Sequence, residues 1–327
     1  MSRGSRRPRL EDVAERVGMS PASVSMVLSN APGPSAATRQ RVLEAAAELG
    51  YRPDRTASLL ARRRTHLVGV LMEAGSAFHA ELVEDLYDAA ERQGYDVVLS
   101  AATRTRDERR ATETLVDFRC EALILLGPVA PATQLADLGR QLPVVVIGRR
   151  VAAAGVDVVR SADAEGVGQA VDHLAGLGHR AITYVDGGRG TIASDRRRGY
   201  RSAMRRHRLG GQIRVIGGDH TEAAGARAAR LLLDEGRPLP SAVVAFNDHC
   251  ALGLLDVFAR AGVAVPAGIS VVGYDDSSLS RLAHVNLTTV SQDARRQAEH
   301  AVAAAVERLD GGRTSPREVV LPPHLVV

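Results

Sequence analysis

The chain contains no lysine and no tryptophan. All 42 basic residues are therefore arginine, which we read as the imprint of a GC-rich genome rather than as chemistry. Aromatic residues are only 3% of the 327 positions, so a core has to be built from Ala, Val, Leu and Ile. Cysteine is almost absent. Cys120 and Cys250 stand far apart, which excludes a disulfide framework or metal-ligand spacing and fits a reducing compartment. No apolar run reaches the roughly 18 residues of a membrane span. The arginine-rich start is followed by no apolar stretch, so no secretory signal is expected and a cytoplasmic location is. Catalytic signatures are missing too. Gly187-Gly-Arg-Gly190 lacks the Lys-Ser/Thr of a phosphate-binding loop, and neither a GxSxG elbow nor HExxH occurs. Asp275 and Asp276 are adjacent, but adjacency alone does not make a catalytic pair. The expectation is binding without catalysis, with no cofactor and no metal; His79, His173, His179 and His249 are too scattered for ligand spacing.

What is present is an uneven charge. Residues 1–66 carry 12 Arg against six acids, a net of +6, while residues 67–327 carry 30 against 32, a net of −2. A basic head on a near-neutral body points to a polyanion as the partner of the head.

The head has helical periodicity. Leu10, Val13, Ala14 and Val17 form one apolar face closed by Gly18. Ser20 is placed to cap a second helix that begins at Pro21 and turns Val24, Val27 and Leu28 inward. Three residues between the two helices make the tight joint of a helix-turn-helix. A third helix runs from near Ser35 to Leu49, with Gly50 after it. In such a bundle the second helix enters the major groove, here presenting Ser20, Pro21, Ala22, Ser23, Ser25 and Met26. These side chains suit thymine methyls and single hydrogen bonds, and none can contact guanine bidentately. Arg9, Arg39, Arg52 and Arg55 suit phosphates. The bland alternative is any three-helix bundle with a solvated arginine surface.

The run Leu10-Glu-Asp-Val-Ala-Glu-Arg-Val-Gly-Met-Ser-Pro-Ala-Ser-Val-Ser-Met-Val-Leu28, followed by Leu49-Gly-Tyr-Arg-Pro53, closely resembles the headpiece of the lactose-repressor (LacI/GalR-type) family of bacterial transcription regulators. Met26 and Asp54 depart from that family's usual Arg and Asn. The resemblance implies a hinge helix in residues 54–61, where Ser58 and Leu60 would meet DNA and Leu60 would wedge into a minor-groove step. From the residues alone, Leu59 and Leu60 could equally pack on the body.

From residue 67, strand-like runs at 67–72, 96–100, 122–126, 143–147, 156–159, 181–185, 213–216, 242–246, 269–273 and 287–290 alternate with helical stretches, among them 80–93, 163–177, 196–208, 221–235, 248–261 and 292–310. Near-continuous Val/Ile/Leu runs joined by helices predict parallel sheets covered on both faces. About 260 residues is long for one such sheet, so two lobes are expected. The fold class is therefore a small all-α helix-turn-helix headpiece plus an α/β two-lobed body, which the resemblance makes periplasmic-binding-protein-like. The expected division is a headpiece over 1–53, a hinge and linker over 54–65, and a body over 66–327. The lobes would comprise roughly 66–161 with 290–319, and 162–289 with 320–327.

Ligands of open α/β sheets sit beyond the carboxyl ends of the strands. That rule selects Glu73, Ser76 and Phe78, then Gly148 and Arg149, then Asn247 and Asp248, then Tyr274, Asp275 and Asp276. The resemblance adds Arg196, in the stretch Arg196-Arg-Arg-Gly-Tyr200, and implies that Arg196, Asn247 and Asp275 contact an effector. The candidate effector residues are thus Phe78, Arg149, Arg196, Asn247, Asp248 and Asp275. Local alternatives remain: Asp248 could cap the next helix, Asp276 reads as a turn residue, and a triple-Arg run is ordinarily a solvated face. The family's usual lid loop and its Asp at position 148 are both altered, so the ligand cannot be borrowed. The expected partners are double-stranded operator DNA, a sugar- or nucleoside-like effector and a second copy of the chain. The alternative is a solute-binding receptor with no DNA role.

Overall fold

The computed structural model describes residues 8–28, 32–51 and 64–327. The chain forms two compact units that divide between Thr65 and His66.

The first unit is a three-helix bundle. Helix α1 spans Leu10–Val17, α2 Pro21–Leu28 and α3 Ala36–Leu49. Local chemistry sets each end. Gly18 and Gly50 take φ of 66° and 65°, the left-handed turn that ends a helix without Cβ strain. The Ser35 hydroxyl accepts the Thr38 N–H at 3.2 Å. Val13, Ala14, Val24, Val27, Val42, Ala45 and Ala46 form the buried centre, the members from α1 and α2 lying on the inward faces the periodicity predicted.

The second unit holds two parallel sheets. The larger comprises β1 (Leu67–Glu73), β2 (Asp96–Ala102), β3 (Ala122–Leu126), β4 (Val144–Ile147), β5 (Val156–Ser161) and, near the chain end, β11 (Glu318–Leu321). Their order is β11-β5-β4-β3-β1-β2, all parallel. Side-chain alternation feeds both faces. Ile124 joins the core beneath helices α4 (Ala77–Arg92) and α11 (Ala294–Leu309), whereas Leu123 and Leu125 pack beneath α5 (Glu108–Asp117) and α6 (Ala132–Gly139).

The smaller sheet has β6 (Ile182–Val185), β7 (Arg214–Ile216), β8 (Ala242–Val244) and β9 (Ser270–Val272), ordered β7-β6-β8-β9. Helices α7 (Asp163–Gly176) and α8 (Thr191–Arg206) cover one face, α9 (Glu222–Asp234) and α10 (Asp248–Arg260) the other. Between α9 and α10 the backbones nearly touch. A Cβ on Gly225 would lie 1.9 Å from the Cys250 carbonyl oxygen, and one on Gly253 the same distance from that of Glu222.

Three expectations are corrected. The run at 287–290 is β10 (Thr289–Ser291), which pairs antiparallel with β12 (His324–Val326) and meets the end of β9 only through isolated parallel bridges such as Thr288 with Val272. Strands β11 and β12 were not anticipated, and β11 keeps Val320 and Leu321 in the larger sheet rather than in the second lobe. Its docking rests on distant partners. Arg313 donates to both oxygens of Asp157, at 2.9 and 3.0 Å, and the Arg317 N–H donates to the same carboxylate at 2.7 Å. Helix α8 starts at Thr191, not at Arg196, because an uncapped start after Gly190 gives no local signal. Among the described residues, no helix is long and apolar enough to cross a membrane.

Candidate functional sites

In the bundle, the outward side of α2 is exposed. Pro21, Ala22, Ser25 and Met26 are exposed, Met26 by 45%. Ser20 and Ser23 are partly committed: their hydroxyls pair at 2.8 Å, and the Ser20 oxygen also accepts the Ser23 N–H, capping α2. Arg9 precedes α1, and its N–H donates to Asp12 at 2.6 Å. Arg39 is half-buried, with its guanidinium donating to the Val27 carbonyl at 3.4 Å, so it braces α3 against the end of α2 as well as facing outward. Arg55, Ser58 and Leu60 lie outside the described residues.

In the body, a cavity of about 360 Å³ opens between the two sheets at their strand ends. Phe78, Arg149, Arg196, Asn247 and Asp275 all line it. Its centre is Arg196, which is almost fully buried. Its Nε donates to Asp163 at 2.7 Å and its terminal nitrogen to the Phe246 carbonyl at 2.6 Å. The guanidinium lies over the Tyr274 ring at 3.6 Å and the Phe246 ring at 4.7 Å. Its other terminal nitrogen is 3.7 Å from Asp275. Burial works against the charge, but Asp163, Tyr274 and Asp275 together outweigh it and hold Arg196 firmly protonated. The triple-Arg run is thus split: Arg197 pairs with Asp186 and Arg198 with Asp195, while Arg196 alone turns inward.

Asp275 sits where the chain passes between sheets. Its N–H donates to the Val290 carbonyl at 2.8 Å, and its carboxylate accepts the Gln292 side-chain amide at 2.6 Å. Its φ of 116° is strained for a residue with a Cβ and is retained by these contacts. Burial pushes its carboxyl up to about 8, since Arg196 is shared with Asp163 and cannot neutralise both. Asn247 caps α10, accepting the Cys250 N–H at 2.9 Å while its amide donates to the His220 carbonyl at 3.0 Å.

Asp248 differs from expectation on both counts. It neither caps the helix nor lines the cavity. Its buried carboxylate accepts the Ser277 N–H at 2.8 Å and the Thr289 hydroxyl at 2.6 Å, clamping the loop after β9 to β10. Arg149 is half-buried and donates to the Ala130 carbonyl; Phe78 is half-buried in the first turn of α4.

Sequence reasoning passed over Asp163, Phe246 and Gln292 as site residues. Gln292 follows a strand directly, so the strand-end rule that picked Asp275 would have found it. Asp163 and Phe246 each lie two residues past the ends of β5 and β8, so the same rule reaches them, but their contact with Arg196 is visible only in the fold.

A helix-turn-helix bundle and an α/β body with a polar, ligand-sized cleft, joined in one chain, are the parts of a DNA-binding transcription regulator. Comparison with known proteins gives the family. The model for "Bacterial regulatory proteins, lacI family" matches residues 9–54, and a periplasmic binding protein-like domain matches residues 171–327. The HTH-type transcriptional regulator AscG of Escherichia coli (strain K12) is 30% identical over 314 residues, covering 93% of each chain. The structure of a LacI transcriptional regulator from a Rhodococcus species is 46% identical and covers 80% of this chain and 96% of that one, with a TM-score of 0.76. The lac repressor dimer bound to operator and the anti-inducer ONPF is 28% identical and covers 98% of both chains, with a TM-score of 0.82. The chain belongs to the lacI family of bacterial regulatory proteins.

Proposed function

We propose that the protein is a homodimeric repressor that binds a palindromic operator and is controlled by a small polar metabolite held in the cleft of the body. The sensing half rests on the cleft itself. Arg196, Asn247 and Asp275 converge there, pre-positioned by buried partners, as a site that orients hydroxyl-rich or heterocyclic solutes requires. The DNA half rests on the exposed outer face of α2 and on membership of the family. One headpiece offers a small interface, so tight binding needs two half-sites and hence two copies of the chain. Arg9, Arg39 and Arg55 serve phosphates in this reading, Ser20 to Met26 face bases, and Ser58 with Leu60 meets the minor groove. Such a regulator works beside the chromosome, in the cytoplasm.

Selection of bound fragments from random DNA should return a two-fold palindrome. If about six phosphates are neutralised, the log–log salt slope should be near −5. Sedimentation of the full chain at micromolar concentration should give a dimer. A screen of sugars, nucleosides and purines should find a compound that raises the melting temperature and changes operator affinity. A chain that binds such a compound but no DNA would be a solute receptor instead.

A further inference from the structure

We infer that the effector is an anion, a sugar-sized molecule whose phosphate or carboxylate group is held by Arg149, Arg189 and the open start of α8; this rests on the cleft being the sensing site. The inference comes from charges around the cavity that have no counterpart. Arg196 is balanced by Asp163 behind it. Arg149 has no ion-pair partner among the described residues. Its Nε is buried with no partner, its only hydrogen bond among the described residues goes to a neutral carbonyl, and burial pulls its affinity for the proton down. Glu108, the acid whose field reaches it, makes no ion pair with it and directs its oxygens to the N–H groups of Val129 and Ala130, at 2.6 and 3.1 Å.

Arg189 faces the same cavity from the loop after β6. It is exposed and has no hydrogen bond or ion pair among the described residues. Gly188 and Gly190 on either side take φ of 83° and 121°, values that shape a loop no ordinary residue would adopt freely.

Three helices begin at the cavity. Ser76 caps α4 and Asn247 caps α10 with side-chain oxygens. Helix α8, 16 residues long, begins after Gly190 with no side-chain cap, and Thr191, Ile192 and Ala193 of its first turn line the cavity. Unpaired N–H groups at a helix start, with the positive end of its dipole, form a receptor for an oxyanion. An arginine beside them adds parallel N–H donors that match phosphate or carboxylate. The acids at the cavity offset this only in part. Glu73 lies 3.8 Å from His220 at the lip, and Asp275 is occupied by Gln292 beside Arg196. With Arg196 set against Asp163, the cavity still holds Arg149 and Arg189 against the single carboxylate of Glu73, an excess of one arginine, and its 360 Å³ suits a hexose-sized ligand.

The test uses the full chain and inorganic phosphate as first probe, against chloride at equal ionic strength. Phosphate should raise the melting temperature and bind in the millimolar range by calorimetry. Arg189→Gln, which removes an exposed side chain and cannot disturb the core, and Arg149→Gln should each weaken that binding at least ten-fold. An aldohexose, its 6-phosphate and its uronate form the second probe. Both anions should bind more tightly than the neutral sugar; the 6-phosphate ahead identifies a phosphate, and the uronate ahead a carboxylate. The inference is overturned if phosphate does not bind, if binding survives both substitutions and so resides on the arginine-rich headpiece, or if the neutral sugar binds best. Operator affinity is measured on the same samples. Normal operator binding with no anion effect refutes the inference alone, whereas no operator binding to any sequence refutes the regulator reading.

Discussion

Separating Asp163 from Arg196 should be among the most damaging single changes in the body. Their side chains are 5% and 4% exposed and meet at 2.7 Å, so water can hydrate neither charge if the other is removed. Asp163→Ala leaves the guanidinium with one carbonyl, two ring faces and a shared carboxyl 3.7 Å away. Breaking a buried pair from one side costs about 3–5 kcal/mol. At about 2–4 °C per kcal/mol for a unit of this size, the melting temperature should fall by roughly 6–20 °C. Arg196→Met should cost a similar amount by stranding Asp163. The double variant Asp163→Leu/Arg196→Met strands no charge. Its cost should be smaller than the sum of the singles by at least about 2 kcal/mol, the coupling expected of residues in contact. Asp275 tolerates the loss of Arg196 because its carboxyl is pushed up to about 8 and keeps its proton near neutrality. Urea unfolding followed by circular dichroism reads all three variants. With no tryptophan in the chain, the buried Tyr184, Tyr200 and Tyr274 give the second optical signal. Single variants within about 1 kcal/mol of the parent, or strict additivity in the double, would refute the account of this pair as mutually dependent buried charges.

Stability should also depend on pH through Asp275. Its folded pKa, about 8, lies above the unfolded value near 3.9, so the folded state keeps a proton that the unfolded chain releases. That contribution is complete below pH 3.9 and is lost as pH rises through 8. His79, pulled down to about 4 by burial and by His220, adds an opposite slope that fades as pH rises above its unfolded value of 6.5 and is common to parent and variant. Between pH 6.5 and 8, Asp275→Asn should therefore flatten a decline of at most about 1.4 kcal/mol per pH unit, measured by urea melts; equal slopes in parent and variant would count against it. Asp248→Ala removes the acceptor for Ser277 and Thr289 and should cost about 2–4 kcal/mol, with Asp248→Asn milder; a thermally unaltered Asp248→Ala would show that the clamp is dispensable. Gly225→Ala, forced against the Cys250 carbonyl, should lose about 1–3 kcal/mol by chemical denaturation, and a neutral effect would mean that α9 and α10 separate freely. Leu60→Ala should reduce both operator affinity and DNA bending in a gel assay while effector binding persists; an unchanged bend angle would return Leu60 to a packing role.

Local chemistry was readable in advance because its partners are neighbours in the chain. Gly18, Ser20 and Pro21 mark the joint between α1 and α2, and the structure has the glycine turn and the Ser20 cap there. Strands such as Ala122–Leu126 announced themselves as continuous apolar runs because both their faces are covered. The strand-end rule found Asn247, Asp275 and Arg149, because chain order alone places such residues at the sheet edge. Other features depend on residues far apart. Asp248 looked like a cap or a ligand contact, since nothing near it in sequence reveals that Ser277 and Thr289, 29 and 41 residues on, would take its carboxylate. Arg196 was marked by the family resemblance of the stretch Arg196-Arg-Arg-Gly-Tyr200, but the reason for the glycine in it is tertiary: a Cβ on Gly199 would lie 2.2 Å from the Ala164 carbonyl, on the helix that carries Asp163. Glu318–Leu321 is a short, half-exposed run whose identity as a strand depends on pairing with β5, about 160 residues earlier. Helix periods, caps, apolar runs and the uneven charge were thus set by the sequence by itself, because each is a short-range property of the chain. Which carboxylate balances which arginine, and which arginines at the cleft are left unbalanced, only the tertiary structure decided, because buried charge is compensated across space and not along the chain.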